Sequence, residues 1–385
     1  MSALDTSTRW GISPWKIDFT PPAEALPRSV DFAIIGGGFT GLAAAAWLRL
    51  LAPDQSVVVL ESERIGAGAS GRTGGIVLAE TAAGDLPQLG DVLGGFRDIL
   101  AKLGVECGLS LQGAWEIART QDLAQPPVVP APIEWNDSGI VRVVREVPGG
   151  TLDPGKLLSG LARAAARLGA VILEHQGVER VEWREHANLR LAPNGFHSAG
   201  ISAAKVLFAT NALSLSLSSL ETRAHPKLTL AAMTAPLAQE QLEAIGLSTQ
   251  KPFYTVDLPY LWGRTRPDNS IVWGAGLVEA PHSRGVERID IASDEPSRKF
   301  ASLENRVRNL HPALATVRFT HRWGGPILFR EEWRPVFDWH PENRNGIVLG
   351  AYAGHGVALS SYLGAWAAEV LLGRRGLPGW GAMEG

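Results

Sequence analysis

The tightest constraint on this chain of 385 residues lies near its start, where VDFAII (residues 30–35) breaks into GGGFTG and resumes as LAAAAWL. An apolar run of that length bounded by glycines reads as a short buried strand, and the small-residue stretch from residue 40 to about 51 reads as a helix. Gly36, Gly38 and Gly41 stand at the G-x-G-x-x-G spacing. The first allows a tight turn, the second lets a pyrophosphate approach the backbone, and the third lets helix pack on strand. The helix N-terminus, with Phe39 and Thr40, then aims its amides at the phosphates. A purely structural strand–turn–helix has the same outline, so the second half of the unit matters. VVVL (57–60) is another buried strand ended by Glu61, 20 residues beyond Gly41, with Ser62 after it. A carboxylate there suits a ribose hydroxyl and repels a 2′-phosphate.

The next stretch, IGAGASGRTGGI (65–76), places Gly68, Ala69, Ser70, Arg72, Thr73, Gly74 and Gly75 directly after that strand. A glycine-rich loop carrying one arginine can wrap a cofactor larger than a nicotinamide dinucleotide and set donors on its phosphates or ring edge. A mobile surface loop is the alternative, and the apolar anchors Ile65 and Ile76-Val77-Leu78 weigh against it. Composition narrows the rest. The net charge is −3 without a long basic run, which excludes nucleic acid as an expected partner. The single Cys107 allows neither an internal disulfide nor a cysteine-rich metal site, and fits a reducing compartment. No signal-peptide core and no run of about 18 apolar residues is present. The expectation is a cytoplasmic protein without a membrane span. Thirteen tryptophans point either to an aromatic pocket or to a tryptophan-rich core.

DFAIIGGGFTGLAAAAWL, VVVLESERIGAGASGRTGG and LGAYAGHGVALSSYLGAWAAEVLLG are together similar to the FAD-dependent amine and amino-acid oxidoreductases of the D-amino-acid oxidase superfamily. Glycine oxidase, sarcosine oxidase and γ-glutamylputrescine oxidase belong to it. The resemblance runs over residues 10–373, and the ASGR-TGG and GHGVA forms most resemble the γ-glutamylputrescine oxidase branch. It implies an α/β fold: a Rossmann-like, glutathione-reductase-like FAD-binding domain interleaved with an antiparallel-sheet substrate domain. Residues 1–80, 151–220 and 325–385 would form the first, and 81–150 and 221–324 the second. Leu157, Leu158, Leu161, Ala165 and Leu168 behind Pro154 predict a helix over 152–168. Residues 170–173 and 177–183 read as strands, with Val178 where the family's backbone meets adenine. Residues 203–210 read as a further strand, ending at Thr210 and Asn211. A strand at 347–349, a loop at 350–356 and a helix at 357–372 follow. In the family this helix points its N-terminus at the flavin pyrimidine, where reduction places negative charge. That adds Gly354, His355, Gly356, Val357 and Ala358 to the cofactor set. His355 reads either as substrate-facing or as a helix cap.

Relatives that tether their flavin use a cysteine near the C-terminal domain or a histidine beside the first glycine motifs. This chain has no cysteine after Cys107 and no histidine before Gly75, so FAD is expected to be non-covalent. Residues 254–264 and 271–277 read as a hairpin around RPDNS. Alternation sets Tyr260, Trp262 and Arg264 on one face, and Trp273, Ala275 and Leu277 on one face of the partner strand. Tyr260 or Trp262 could hold an ammonium by cation–π attraction, or simply fill the sheet's core. The scattered histidines lack ligand spacing, so no metal is expected.

Departures from the family shape the functional expectation. The amino-acid branches clamp a substrate carboxylate with arginines. At the matching places this chain has YAGHG (352–356), WGGPIL (323–328) and Ile76-Val77-Leu78-Ala79, with Arg264, Arg284 or Arg330 left to compensate. The expected substrate is therefore a small primary or secondary amine without an obligatory α-carboxylate, polyamine derivatives among them. It would be oxidised to an imine that water hydrolyses. The segment GAGLVEAPHSRG (274–285) aligns with a sarcosine oxidase stretch whose lysine promotes reaction of reduced flavin with oxygen. That lysine's place falls on Val278, and a substrate-side histidine's on His282. Oxygen is the expected acceptor, an electron carrier the alternative, and a non-catalytic flavin-binding subunit a third reading.

Overall fold

The computed structural model describes residues 9–120, 132–192, 199–256, 259–279 and 285–382. His282 and Arg284 lie outside the described residues. The chain builds two eight-stranded sheets. The first runs Val336–His340, Asn343–Gly350, Gly200–Phe208, Ser29–Ile35, Val57–Leu60, Val171–Leu173, with the hairpin Val178–Trp183 and Ala187–Leu191 paired to its Gly200–Phe208 strand. Ser29–Ile35 pairs in parallel with both of its neighbours. A parallel sheet must be covered on both faces. On one side lie the helices Phe39–Leu51, Val92–Leu103, Pro154–Arg167 and Gly356–Leu371. On the other lie the 178–191 hairpin and residues 212–224.

Local chemistry explains these elements. Phe39–Leu51 is alanine-rich and buried on every side through Leu48, so it reads as a core helix rather than a surface one. Gly364 of Gly356–Leu371 packs so closely on it that a Cβ there would stand 2.4 Å from the Thr40 carbonyl oxygen. Pro154–Arg167 starts at its proline, and the Asp153 carboxylate accepts the Lys156 N–H at 2.9 Å. Proline at the first helical position behind an aspartate cap is a strong start signal.

The second sheet runs Phe319–Arg330, Ala224–Thr234, Ile271–Glu279, Trp262–Thr265, Phe253–Thr255, Ala114–Arg119, Ile140–Val147, Glu134–Asn136. It is antiparallel except where Phe253–Thr255 meets Ala114–Arg119. Asp294–Leu310 packs on its outer face over Trp135, Phe253 and Trp273. Two features cut across the domain division read from the sequence. Val92–Leu103, within 81–150, packs in the helical core of the first sheet. Phe319–Arg330 is one continuous strand through the expected boundary at 324/325.

The expected 254–264 strand is broken into two short strands that pair with each other, Tyr254 opposite Trp262. Tyr260 therefore sits in the turn before Trp262, not in the strand. The expected common face of Trp273, Ala275 and Leu277 also fails. Thr229 pairs with Leu277 but Ala231 with Gly274, so the pairing with Ala224–Thr234 slips by one residue. Gly276 takes a positive φ of 83° at this bulge. One extra residue flips every side chain beyond it. Trp273 thus fills the outer core while Leu277 turns inward.

Candidate active site

A cavity of about 720 Å³ opens between the two sheets, within the range of cofactor and small-molecule sites. At one end the β-strand Ser29–Ile35 delivers the glycine turn. Gly36 has φ of +113°, and a Cβ on it would lie 2.7 Å from the Ala209 carbonyl oxygen. The Gly37 N–H donates to Glu61 Oε2 at 2.8 Å, and the Glu63 N–H to Glu61 Oε1 at 2.9 Å. Burial pushes the Glu61 carboxyl above the usual carboxylate range, against those hydrogen bonds. The Phe39 N–H donates to Ser70 Oγ at 3.0 Å.

Two helices aim their N-termini into this one cavity. Phe39–Leu51 begins at Gly38 and Gly356–Leu371 at His355, and neither has a side-chain cap. Beyond the Phe39 amide, which Ser70 holds, first-turn amides with the helix dipole behind them favour negative charge. Thr210 Oγ1 and Ser360 Oγ are buried without a hydrogen-bond partner, and both residues line the same cavity. Phosphate at one helix end, ribose at Glu61 and an electron-accepting ring at the other helix end match these donors and orphans.

The loop behind the second N-terminus is held out of ordinary geometry. Ala351, Ala353 and Gly354 all have positive φ, of 58°, 48° and 94°. Asn211 Oδ1 accepts the Ala351 N–H at 2.9 Å, the Leu328 carbonyl accepts the Ala353 N–H at 3.2 Å, and Tyr352 Oη meets Thr40 Oγ1 at 2.8 Å. Non-glycine residues in this region cost energy and cluster at functional sites. His355 gives no side-chain cap; it lines the cavity with a buried, partnerless Nδ1, and burial holds its imidazole below the usual histidine range.

Gly36, Gly38, Phe39, Thr40, Glu61, Ser62, Gly68, Ala69, Ser70, Thr73, Gly74, Val178, Thr210, Asn211, Gly354, Gly356 and Val357 also line the cavity. Gly41, Gly75 and Ala358 do not. Gly41 lies under the Gly36 carbonyl, Gly75 under Leu152 and Arg264, and Ala358 inside the helical core. Arg72 lines the cavity, but its hydrogen bonds run to the backbone carbonyls of Ala67 at 3.0 Å and Gly11 at 2.8 Å, with the weaker Trp10 and Gly324 contacts beyond. These bonds of Nε and Nη1 strap the glycine-rich loop. Residues 10–15, with no role in the sequence reading, complete that strap. Ser13 Oγ donates to Gly71 O at 2.7 Å and Trp15 Nε1 to Thr73 O at 2.8 Å.

Of the expected compensating arginines, Arg264 is buried on the Gly75 and Leu152 carbonyls and stacked over Trp15, and burial brings its guanidinium down to about 10. Arg330 bonds the Ala382 carbonyl. Val278 is packed with Trp10, Leu228 and Phe300 in a core; the wall position is its neighbour Leu277. Trp262 lies over Gly74 and Gly274, where a Cβ would come within 2.3 and 2.0 Å of its ring. Tyr260 is 40% exposed at the rim. Among the 13 tryptophans only Trp262 and Trp333 line the cavity, so most belong to the core.

Sequence reading missed Glu80, Tyr254, Phe329 and Trp333 on this wall. Glu80 was within reach: Ile76, Leu78 and Glu80 all line it at a strand's period of two. Phe329 and Trp333 meet edge to face at 5.5 Å after the consecutive positive φ values of Glu332 and Trp333, a turn no motif announces.

The family described as DAO, FAD dependent oxidoreductase, matches residues 31–370. The chain belongs to this family. As a DAO-family enzyme it is an FAD-dependent oxidoreductase. It is 27% identical over 397 residues to the γ-glutamylputrescine oxidoreductase of Escherichia coli (strain K12), covering 91% of this chain and 86% of that protein. It is 27% identical to the probable oxidoreductase OrdL of Rhizobium meliloti (strain 1021), covering 90% and 84%. Among solved structures, glycine oxidase from Geobacillus kaustophilus superimposes with a TM-score of 0.67 at 18% identity, covering 91% of this chain and 96% of that one. L-proline dehydrogenase from P. horikoshii gives 0.68 at 20%, covering 92% and 96%. The mixed α/β architecture of this DAO-family chain is thus that of known flavoenzymes. Among the described residues, no helix is long and apolar enough to cross a membrane.

Proposed function

We propose that the protein oxidises the C–N bond of a primary or secondary amine that needs no α-carboxylate, giving an imine that water hydrolyses, with FAD held non-covalently in a cytoplasmic enzyme. One observation carries the reading. Among the described residues Arg72 is the only arginine on the cavity wall, no lysine joins it, and the Arg72 hydrogen bonds run to backbone carbonyls. A carboxylate desolvated on that wall would lack the bidentate partner it needs.

FAD, when bound, supplies the two-electron acceptor for the substrate's α-hydride. The chain's own residues do the rest. The close turn at Gly36–Gly38, with Glu61, Ser70 and Thr210, would hold the dinucleotide. The amides opening Gly356–Leu371 favour negative charge on whatever they face. Trp262, Tyr260, Phe329 and Trp333 exclude water and attract an incoming ammonium by cation–π contact. His355, kept neutral by burial, can take a proton from the substrate nitrogen, which must be neutral to react.

Oxygen is the first acceptor to test, following the branch resemblance. A carrier is the second reading, favoured by Leu277 standing on the wall where a cation would assist oxygen. Anaerobic mixing with small amines should bleach the oxidised-flavin band, at roughly 450 nm for any such cofactor. Amino acids should bleach it far less. Efficient reduction by α-amino acids and none by amines would overturn the proposal. Acid precipitation should leave the colour in the supernatant.

A further inference from the structure

We propose that Glu80 is a specificity-determining residue that receives a second positive charge of the substrate, so the preferred amine carries a cationic group besides the nitrogen that is oxidised. This rests on the amine-oxidation reading above.

Glu80 lies half-buried on the cavity wall, two residues beyond Leu78. Among the described residues it has no ion pair, and its one hydrogen-bond contact is Tyr254 Oη at 3.5 Å. That contact gives it little. Tyr254 has a single phenolic proton, and Glu116 Oε1 stands closer, at 2.7 Å. Glu116 is also held by Arg145, with Nη2 at 2.8 Å from Oε1. The Arg145 and Tyr254 hydrogen bonds outweigh the burial of Glu116 and keep it ionised, so it claims the proton. Glu80 therefore faces the cavity with a satisfied carboxylate behind it and no donor of its own. Burial and the Glu116 charge both push its carboxyl above the usual range. A cation placed in the cavity would relieve both.

That cation is not the reacting nitrogen. A carboxylate beside the reacting amine would hold it as an ammonium, the form that cannot lose its α-hydride. The aromatic groups nearest in the sheet, Tyr254 and its partner Trp262, suit an alkylammonium with its methylenes against the rings.

The test compares hexylamine with hexamethylenediamine in anaerobic reduction, and hexyltrimethylammonium with hexamethonium as unreactive ligands read by perturbation of the flavin spectrum. Wild type should favour the diamine and bind hexamethonium more tightly. Glu80→Gln should cost about tenfold in kcat/KM for the diamine, through KM, and about tenfold in hexamethonium affinity. Hexylamine and hexyltrimethylammonium should stay within about twofold. Glu80→Asp, which keeps the charge, should restore the preference. Parallel losses on both members of each pair, or losses on neither, would overturn the assignment, as would a Glu80→Asp enzyme that behaves like Glu80→Gln. If no amine reduces the flavin, the amine reading fails, while the hexamethonium titrations still judge Glu80.

Discussion

The two ends of the cavity are built from different materials. The nucleotide end is backbone: the close turn at Gly36, with the Gly37 and Phe39 amides held by Glu61 and Ser70, presented by one strand–turn–helix and closed by Glu61 at the end of the adjacent strand. The substrate end is side chain: Glu80, Tyr254, Trp262, Leu277, Phe329 and His355, brought together from segments far apart in the chain. A backbone site survives most side-chain changes and fails when a glycine is replaced. A side-chain site changes character with almost any single substitution. Six variants press on that contrast.

The largest effect should come from Gly38→Val. A Cβ at this position stands 2.8 Å from Ser70 Oγ, which accepts the Phe39 N–H. Valine displaces that pair and fills the space where a pyrophosphate approaches. The variant should purify colourless and take up no FAD on dialysis against it. Wild-type flavin occupancy would mean that this turn does not hold the cofactor.

Next come two lysines, one residue apart. Val278 is 3% exposed in a core with Trp10 and Phe300, so Val278→Lys buries an unpaired charge. It should lose several kcal/mol of stability and express poorly. Leu277→Lys faces the cavity and should fold with flavin bound. It places a cation on the wall of the cavity proposed to hold the flavin, where it would favour developing negative charge. Reoxidation of the reduced enzyme in air-saturated buffer should quicken by tenfold or more, roughly 1.4 kcal/mol of barrier. Should Val278→Lys instead fold normally and speed reoxidation while Leu277→Lys does nothing, the register across the bulge is wrong.

That pair also shows where sequence reasoning stopped. The glycine turn, Glu61, the 65–76 loop and the last helix could be read because each is a local backbone device with fixed spacing. The resemblance to a sarcosine oxidase stretch puts the lysine's place at Val278, one residue from the wall, and the common face expected for Trp273, Ala275 and Leu277 fails because alternation carries no mark of a bulge; only Gly276 hinted at one. A loop arginine such as Arg72 shows its charge in the sequence but not the carbonyls of Trp10 and Gly11 that its Nη1 bonds. Glu80 was passed over because its meaning depends on Glu116 and Arg145, more than thirty residues away, taking the one proton Tyr254 has.

Glu61→Ala should be milder than either. It removes one charge-assisted acceptor and the partner of the Gly37 N–H but keeps every glycine of the turn, so FAD affinity should fall by about 1.5–3 kcal/mol, roughly one to two decades. Fluorescence titration of apoprotein with FAD measures this. Glu61→Gln should recover part of the loss, since an amide oxygen still accepts from the Gly37 N–H.

The smallest effect separates the two regions by their alkaline titration. Cys107 lies in the helical core beneath the nucleotide end, 2% exposed, and burial raises its thiol from 9.0 to about 11. Tyr254 on the substrate wall and Tyr352 behind the His355 loop are also raised by burial, from 10.0. The sign follows from proton counting. Above 9.0 the unfolded thiol releases its proton while the folded one keeps it, so the folded state binds more protons and stability falls as pH rises. Below that, the thiol contributes no slope. Between about pH 9 and 10 the thiol should dominate among these three groups, and the phenols join above 10. In this window wild type should lose at most about 1.4 kcal/mol per pH unit. Cys107→Ala should start about 1 kcal/mol lower from the small cavity it leaves, and should run flatter from pH 9 to 10. Chemical-denaturation midpoints taken every half unit check this. Equal slopes for the two proteins in that window would show that the thiol is not held protonated by the core.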